Sequence, residues 1–147
     1  GSVGDLLGVK SGGTRHPLTE EGLRANEHKL HMDGSEVFKI AVRSMESAIL
    51  KVLEDIGEEP GAVDVLIPHQ ANLRIIDAVN KKLKLPQERL VVNIDRYGNT
   101  SSGSVPIALS EAVTAGRIKE GDLVVMTAFG AGMTWGAVAM RWNRKEA

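Results

Sequence analysis

Apolar residues recur at helical spacing from Glu36 to Ile56: Val37, Ile40, Ala41, Met45, Ile49, Val52, Leu53 and Ile56 form one stripe. Ser35 offers an N-cap for this helix and Gly57 a stop. Val63 to Ile67 is an apolar run broken only by Asp64 and ended by Pro68, which predicts a buried strand. The spacing of Leu73, Ile76, Val79 and Leu83 predicts a second helix over Gln70 to Leu83, with Asp77 four residues before Lys81 in the favourable order for an ion pair. Leu90 to Ile94 reads as another strand, Tyr97 to Gly103 as a polar turn, and Val105 to Ala115 as a third helix with Pro106 in its first turn. Leu123 to Phe129 and Trp135 to Trp142 read as strands. The short connection between them through Gly130 and Gly132 requires an antiparallel pair. Residues 1–35 are polar and glycine-rich, a loop-rich opening segment with at most short ordered pieces. Strands alternating with helices predict an α/β fold with a mixed, mostly parallel sheet.

Composition narrows the function classes. The 147 residues suffice for one domain that buries roughly 68–70% of its unfolded surface. A net charge of −1 and 3% aromatic residues give neither a basic footprint nor a stacking surface for nucleic acid. No apolar run reaches the ~18 residues of a spanning helix, and no basic start leads into an apolar block. The expectation is a cytoplasmic protein with no membrane partner. There is no cysteine, so this chain holds no disulfide, thiolate metal site or cysteine nucleophile of its own.

Three loops follow strand ends, where open α/β sheets bind ligands: Pro68-His69-Gln70-Ala71-Asn72, Tyr97 to Gly103, and Phe129-Gly130-Ala131-Gly132. His69 lies between a strand and a helix amino end, whose dipole disfavours imidazolium; a neutral ring there can donate a hydrogen bond. Taken singly, a satisfied structural histidine is the more frequent outcome. Asn99 alone is more often a turn former than a catalytic residue, and Gly130 and Gly132 alone are more often simply a hairpin turn. Neither glycine loop is a phosphate-binding fingerprint: Gly98 to Gly103 lacks the Gly-Lys-Ser/Thr ending, and Gly130-Ala131-Gly132 leads into a strand rather than a helix. His28, His31 and Asp33 make a weak metal set without a clear further ligand, and no metal is expected. Arg74, Lys81, Lys82 and Lys84 form a basic stretch, either a solvated face or a surface for an acidic carrier.

In this order and spacing, Pro68-His69-Gln70-Ala71-Asn72, Gly98-Asn99-Thr100-Ser101 and Phe129-Gly130-Ala131-Gly132 resemble the β-ketoacyl-acyl carrier protein synthase III family. So do Gly34 to Lys39, Gly116 to Asp122 and Thr134-Trp135-Gly136. The resemblance covers essentially the whole chain and implies the C-terminal half of a thiolase-like fold, residues 1–147, lacking its first strand, which in the family precedes the Gly1-to-Asp5 match. It implies a decarboxylating condensation of a short acyl-CoA primer with malonyl-acyl carrier protein, starting fatty-acid chains. His69 and Asn99 match the family's decarboxylation pair, and the backbone N–H of Ala131 matches an oxyanion donor. Gly34, Phe38 and Asn72 match the coenzyme A cleft, and Arg74, with Lys81 and Lys82, the carrier-docking surface. Ala131 stands where the family usually has glycine, and Met133 where an aromatic is common. The implied partners are acyl carrier protein, acyl-CoA, an N-terminal half carrying the catalytic cysteine, and a second copy in a homodimer. No cofactor is implied beyond the coenzyme A thioester used as substrate. The competing readings are a non-catalytic module that binds coenzyme A or an acyl carrier, and a related polyketide starter synthase.

Overall fold

The computed structural model describes residues 4–143; the first three residues of the Gly1-to-Asp5 match lie outside that range. The chain divides into two compact units. One holds residues up to Ile40 together with Gly130–Thr134, the other Ala41–Phe129 together with the segment from Trp135 onward.

In the first unit, the opening segment is built from short pieces. A 3-10 turn, Gly4–Leu6, leads into strand β1, Leu7–Val9. Helix α1, Glu20–Arg24, is capped by Thr19, whose hydroxyl accepts the Gly22 N–H at 3.0 Å. Strand β2, Leu30–Met32, pairs antiparallel with β1, placing Leu7 opposite Met32 and Val9 opposite Leu30. Helix α2, Gly34–Asp55, follows at once. Its cap is Asp33 rather than the expected Ser35. The Asp33 carboxylate accepts the Glu36 N–H at 3.1 Å and its carbonyl accepts the Val37 N–H at 2.9 Å. A carboxylate also complements the positive end of the helix dipole better than a hydroxyl does.

The second unit contains the rest of α2, strand β3 (Val65–Pro68), helix α3 (Leu73–Leu83), the short helix α4 (Ile94–Tyr97), helix α5 (Ser104–Thr114), and all but the facing terminal residues, Gly130 and Thr134, of strands β4 (Leu123–Gly130) and β5 (Thr134–Arg141). The sheet order is β3-β4-β5. β3 runs parallel to β4, in a register from Val65 opposite Val124 to Pro68 opposite Thr127. β5 returns antiparallel: the Trp142 N–H donates to the Asp122 carbonyl, and the Gly121 N–H to the Trp142 carbonyl, both at 2.8 Å. Farther along the pair, the Thr127 hydroxyl donates to the Gly136 carbonyl at 3.0 Å.

Burial on both faces explains why β3 reads as a continuous apolar run. Val65, Ile67 and Val124 pack with Ala108 and Ala112 of α5, and with Val91 and Ile118, in one core cluster. Leu66 and Val125 alternate to the opposite face and are also fully buried, as are Ile49 on α2 and Ile76 on α3.

Three further expectations need correction. Helix α3 begins at Leu73, not Gln70, because Asn72 is its N-cap: the side-chain carbonyl of Asn72 accepts the Arg74 N–H at 2.9 Å, a cap worth about 1 kcal/mol. Leu90 to Ile94 is not a strand. Leu90 alone bridges to Leu66, after which the chain turns into α4. The cause is a side chain. The Gln70 amide donates to the Val91 carbonyl at 3.2 Å, and its oxygen accepts the Asn93 N–H at 3.0 Å, occupying backbone groups that a strand would pair. Finally, Asp77 and Lys81 form no ion pair among the described residues. Lys82 instead pairs with Glu46 of α2, at 2.9 Å.

Candidate functional site

His69 sits immediately after β3, anchored where the sheet ends. Its backbone N–H donates to the Thr127 carbonyl at 2.8 Å, extending the β3–β4 ladder by one bond. Its Nδ1 lies 2.5 Å from the hydroxyl of Ser104, the first residue of α5. The ring is half-buried, and this burial holds its pKa below the ordinary 6.5. Desolvation penalises the charged form, so the imidazole is neutral at pH 7.

Gln70, wholly buried, fixes this loop from below. Besides its bonds to Val91 and Asn93, its amide donates to the Pro68 carbonyl at 2.7 Å. Its backbone N–H donates to the Ser104 hydroxyl at 3.2 Å. Ser104 is therefore the meeting point of the His69 loop and the amino end of α5.

Asn99 approaches the same helix end from the other side in sequence. Gly98 closes α4 with φ 64° and ψ −158°, its N–H donating to the Ile94 carbonyl at 2.8 Å. That region of backbone space is essentially restricted to glycine, so Gly98 dictates where Asn99 begins. The Asn99 side-chain carbonyl then accepts the Ser101 N–H at 2.9 Å, a turn in which asparagine mimics a backbone group. With that oxygen committed, the amide NH₂ is the part of this exposed side chain left to meet a ligand.

The carboxylate of Glu111, on α5, tethers the segment that leads to Asn99. It accepts hydrogen bonds from Asn93 Nδ2 (2.7 Å), from both Arg96 amines (2.7 and 2.9 Å) and from the Tyr97 hydroxyl (2.7 Å). Donation by Asn93, then by Tyr97, with the Arg96 charge adding to both, holds the Glu111 carboxyl below its ordinary pKa. The same contact raises the Tyr97 pKa, because the hydroxyl must keep its proton to donate.

His69, Asn99, Asn72, Arg74, Lys81 and Lys82 all lie in the second unit; His69 meets Ser104 at the start of α5, and Asn99 is tied to Ser101 in the segment that leads into that helix. Asn72 is committed through its oxygen to capping α3. Arg74 is exposed in the first turn of that helix, and Lys82 is engaged by Glu46. Gly34, Phe38 and Ala131 belong to the first unit. Gly34 opens α2 and Phe38 lies in its second turn, partly buried. Ala131 is exposed in the connection between β4 and β5, where the Thr134 hydroxyl donates to its carbonyl at 3.3 Å. In the same connection Gly132 has φ 136°, and a Cβ there would come within 2.9 Å of the Thr134 methyl, so a side chain at this position is excluded. Gln70, Ser104 and Glu111 are absent from the expectations raised by the sequence. Gln70 carries the one usable signal, a polar residue inside the Pro68-to-Asn72 motif. Nothing in local pattern separates Ser104 from Ser101 or Ser102.

Comparison with known proteins identifies the family. Residues 53–142 match the family described as 3-oxoacyl-[acyl-carrier-protein (ACP)] synthase III C terminal. The chain is 54% identical over 138 residues to a β-ketoacyl-[acyl-carrier-protein] synthase III of Symbiobacterium thermophilum, an alignment covering 94% of the chain and 42% of that relative. Among solved structures it resembles the 3-oxoacyl-[acyl-carrier-protein] synthase III of Aquifex aeolicus, with TM-score 0.83 and 47% identity over 97% of the chain and 41% of that structure. It also resembles the priming β-ketosynthase of the R1128 polyketide pathway, with TM-score 0.75 and 32% identity over 96% of the chain and 42% of that structure. The chain thus spans less than half the length of the relatives it matches. On the family match, the motifs in sequence order and the shared thiolase-like fold, this chain belongs to the 3-oxoacyl-[acyl-carrier-protein] synthase III family, matching its C-terminal part.

Proposed function

We propose that this chain supplies the enolate-stabilising half of a condensing enzyme that joins a short acyl-CoA primer to malonyl-acyl carrier protein, starting a fatty-acid chain. The observation carrying this reading is a pair of neutral donors: a His69 ring held against Ser104 at the amino end of α5 and kept uncharged by burial, and an Asn99 amide whose oxygen is already taken by the Ser101 N–H.

The chemistry follows from that pair. A cysteine on the N-terminal half accepts the acyl group and releases coenzyme A. When the malonyl thioester loses CO₂, the electrons of the broken C–C bond form an enolate with its charge on the thioester oxygen. His69 and Asn99 donate to that oxygen, and such preorganised donors act most strongly where charge develops. Because both are neutral, they lower the barrier without neutralising the nucleophile. The enolate carbon attacks the acyl-cysteine carbonyl. The resulting oxyanion accepts the Ala131 N–H and the cysteine N–H, and collapse expels the cysteine thiolate. Covalent two-stage catalysis of this kind gives ping-pong kinetics. No cofactor is required beyond the thioesters themselves.

Gly34, Phe38 and Asn72 are assigned to the coenzyme A cleft, and Arg74 with Lys81 to carrier docking. Lys82, which pairs with Glu46 at 2.9 Å, belongs with Lys81 to the same docking assignment. The remaining half of the enzyme has an apolar edge to cover: Trp135 and Val138 of β5 are 52% and 53% exposed. A homodimer of the assembled enzyme is part of the same reading. A starter synthase of polyketide assembly uses the same donor pair and differs in its primer. A binding-only module needs neither a neutral histidine nor an oriented amide.

The deciding experiment measures malonyl-carrier decarboxylation and condensation by the chain alone and after assembly with a cysteine-bearing N-terminal half. Activity only in the assembly supports the proposal, and an inactive, folded assembly removes it. The pH dependence adds a sharper expectation. A lowered His69 pKa means that the neutral donor persists below pH 6.5, so the acidic limb of the decarboxylation profile falls below that value. The sign for stability is the same. The contribution is present above 6.5 and is lost as pH falls from there through the folded-state value, because the unfolded chain takes up the proton first. A limb at or above 6.5 contradicts both statements.

A further inference from the structure

We propose that Ser104 is a positioning residue that holds His69 in the tautomer carrying its proton on Nε2. The proposal rests on the decarboxylation role given above to His69. Ser104 is buried, 2% exposed, and opens α5. Its hydroxyl oxygen meets two groups among the described residues: the Gln70 backbone N–H at 3.2 Å and His69 Nδ1 at 2.5 Å. A peptide N–H can only donate, so the oxygen is an acceptor toward Gln70. The hydroxyl has one proton to give, and Nδ1 is its only partner able to accept one. Nδ1 must then present its lone pair, which puts the ring proton on Nε2.

The opposite tautomer fails on hydrogen-bond balance. With a proton on Nδ1, the Ser104 oxygen would accept two N–H donors while its own buried proton pointed at nothing. Leaving such a donor unpaired disfavours that arrangement on the order of 10- to 100-fold. The amino end of α5, beside Nδ1, also opposes imidazolium, so protonating both nitrogens is no escape. The consequence is directional. Nε2–H can donate to a developing enolate oxygen, whereas an unprotonated Nε2 would present its lone pair to the same charge. Ser104 thus acts through His69 and has no need to touch the substrate.

The test uses this chain, labelled with ¹⁵N-histidine and assembled with an unlabelled cysteine-bearing N-terminal half. Long-range ¹H–¹⁵N correlations report which His69 nitrogen bears the proton, and His69→Gln identifies its signals among the four histidines. The expected wild-type spectrum is that of Nε2–H. Ser104→Ala is expected to populate the Nδ1–H form and to lower malonyl-carrier decarboxylation about tenfold, or about 1.4 kcal/mol in barrier. Acylation of the cysteine should be unchanged, and Ser104→Thr, which keeps the hydroxyl, should restore the Nε2–H signature. A wild-type ring protonated on Nδ1 overturns the proposal without any variant having to fold. An unchanged tautomer and rate in a folded Ser104→Ala protein also overturns it. Nε2–H in a wild-type assembly that does not decarboxylate supports the Ser104 assignment and overturns the catalytic reading beneath it.

Discussion

Replacing Asn99 with aspartate is expected to leave the fold intact and to lower malonyl-carrier decarboxylation by about 10²–10³-fold, the usual effect of losing one preorganised oxyanion donor. The substitution separates the two roles open to Asn99. Its turn role uses only the side-chain oxygen, which accepts the Ser101 N–H at 2.9 Å. Aspartate makes the same turn. Its donor role uses the amide NH₂, and an ionised aspartate has nothing to donate. It would also place a negative charge against the developing enolate. Aspartate should therefore be at least as damaging to decarboxylation as Asn99→Ala, although it preserves the local structure better. Acylation of the partner cysteine, which forms no enolate, should proceed at its normal rate in both. His69→Ala is expected to fall by a similar factor in the same step. The measurement is the ratio of decarboxylation to cysteine acylation in the assembled enzyme. An aspartate variant with normal decarboxylation would reduce Asn99 to a turn former.

Much of this arrangement was legible in the sequence because burial imposes a period. The stripe on α2 and the unbroken apolar run of β3 stood out, since the core accepts only apolar side chains there: Ile49, Leu66 and Ile67 are fully buried. The antiparallel return of β5 followed from a connection too short for a crossover. The segment from Leu90 to Ile94 was misread for the complementary reason. Its residues suit a strand, but a side chain 21 residues earlier, that of Gln70, takes the Val91 carbonyl, and tertiary context overrides local preference. Helix α3 begins later than its periodicity suggests for a local reason, the Asn72 side chain capping it at the Arg74 N–H. The motifs single out His69 and Asn99 as candidates, whereas they give no sign of the side chains that hold them. Ser104 lies 35 residues from His69, and Glu111 lies 14 and 15 residues from the Tyr97 and Arg96 it holds. No local pattern encodes such pairings. They emerge only when α5 is laid against the sheet, bringing its first turn under the end of β3.

The residue that joins fold to site is Gln70, and Gln70→Ala is expected to destabilise the chain by about 3 kcal/mol. The side chain is wholly buried and makes three bonds: to the Pro68 carbonyl (2.7 Å), to the Val91 carbonyl (3.2 Å) and from the Asn93 N–H (3.0 Å). Deleting it strands those backbone groups, and an unpaired buried group costs roughly 1–3 kcal/mol, moderated where water can enter the space left behind. The expected readout is a lower urea midpoint at constant m. Gln70→Glu should be worse at neutral pH, since a carboxylate cannot donate to either carbonyl and its charge would be buried. That deficit should shrink toward acid. A buried glutamate has its folded pKa raised above the ordinary ~4.3. The protonated acid regains one donor, and the penalty grows as pH rises from 4.3 through the folded value. Catalysis should follow stability only in part. Asn93 links Gln70 to Glu111, and Glu111 holds Arg96 and Tyr97 just ahead of Asn99. Loosening Gln70 should therefore displace both donors together and depress decarboxylation in protein that remains folded. If Gln70→Ala instead kept full decarboxylation per folded molecule, the His69 and Asn99 loops would have to be positioned independently of this buried link.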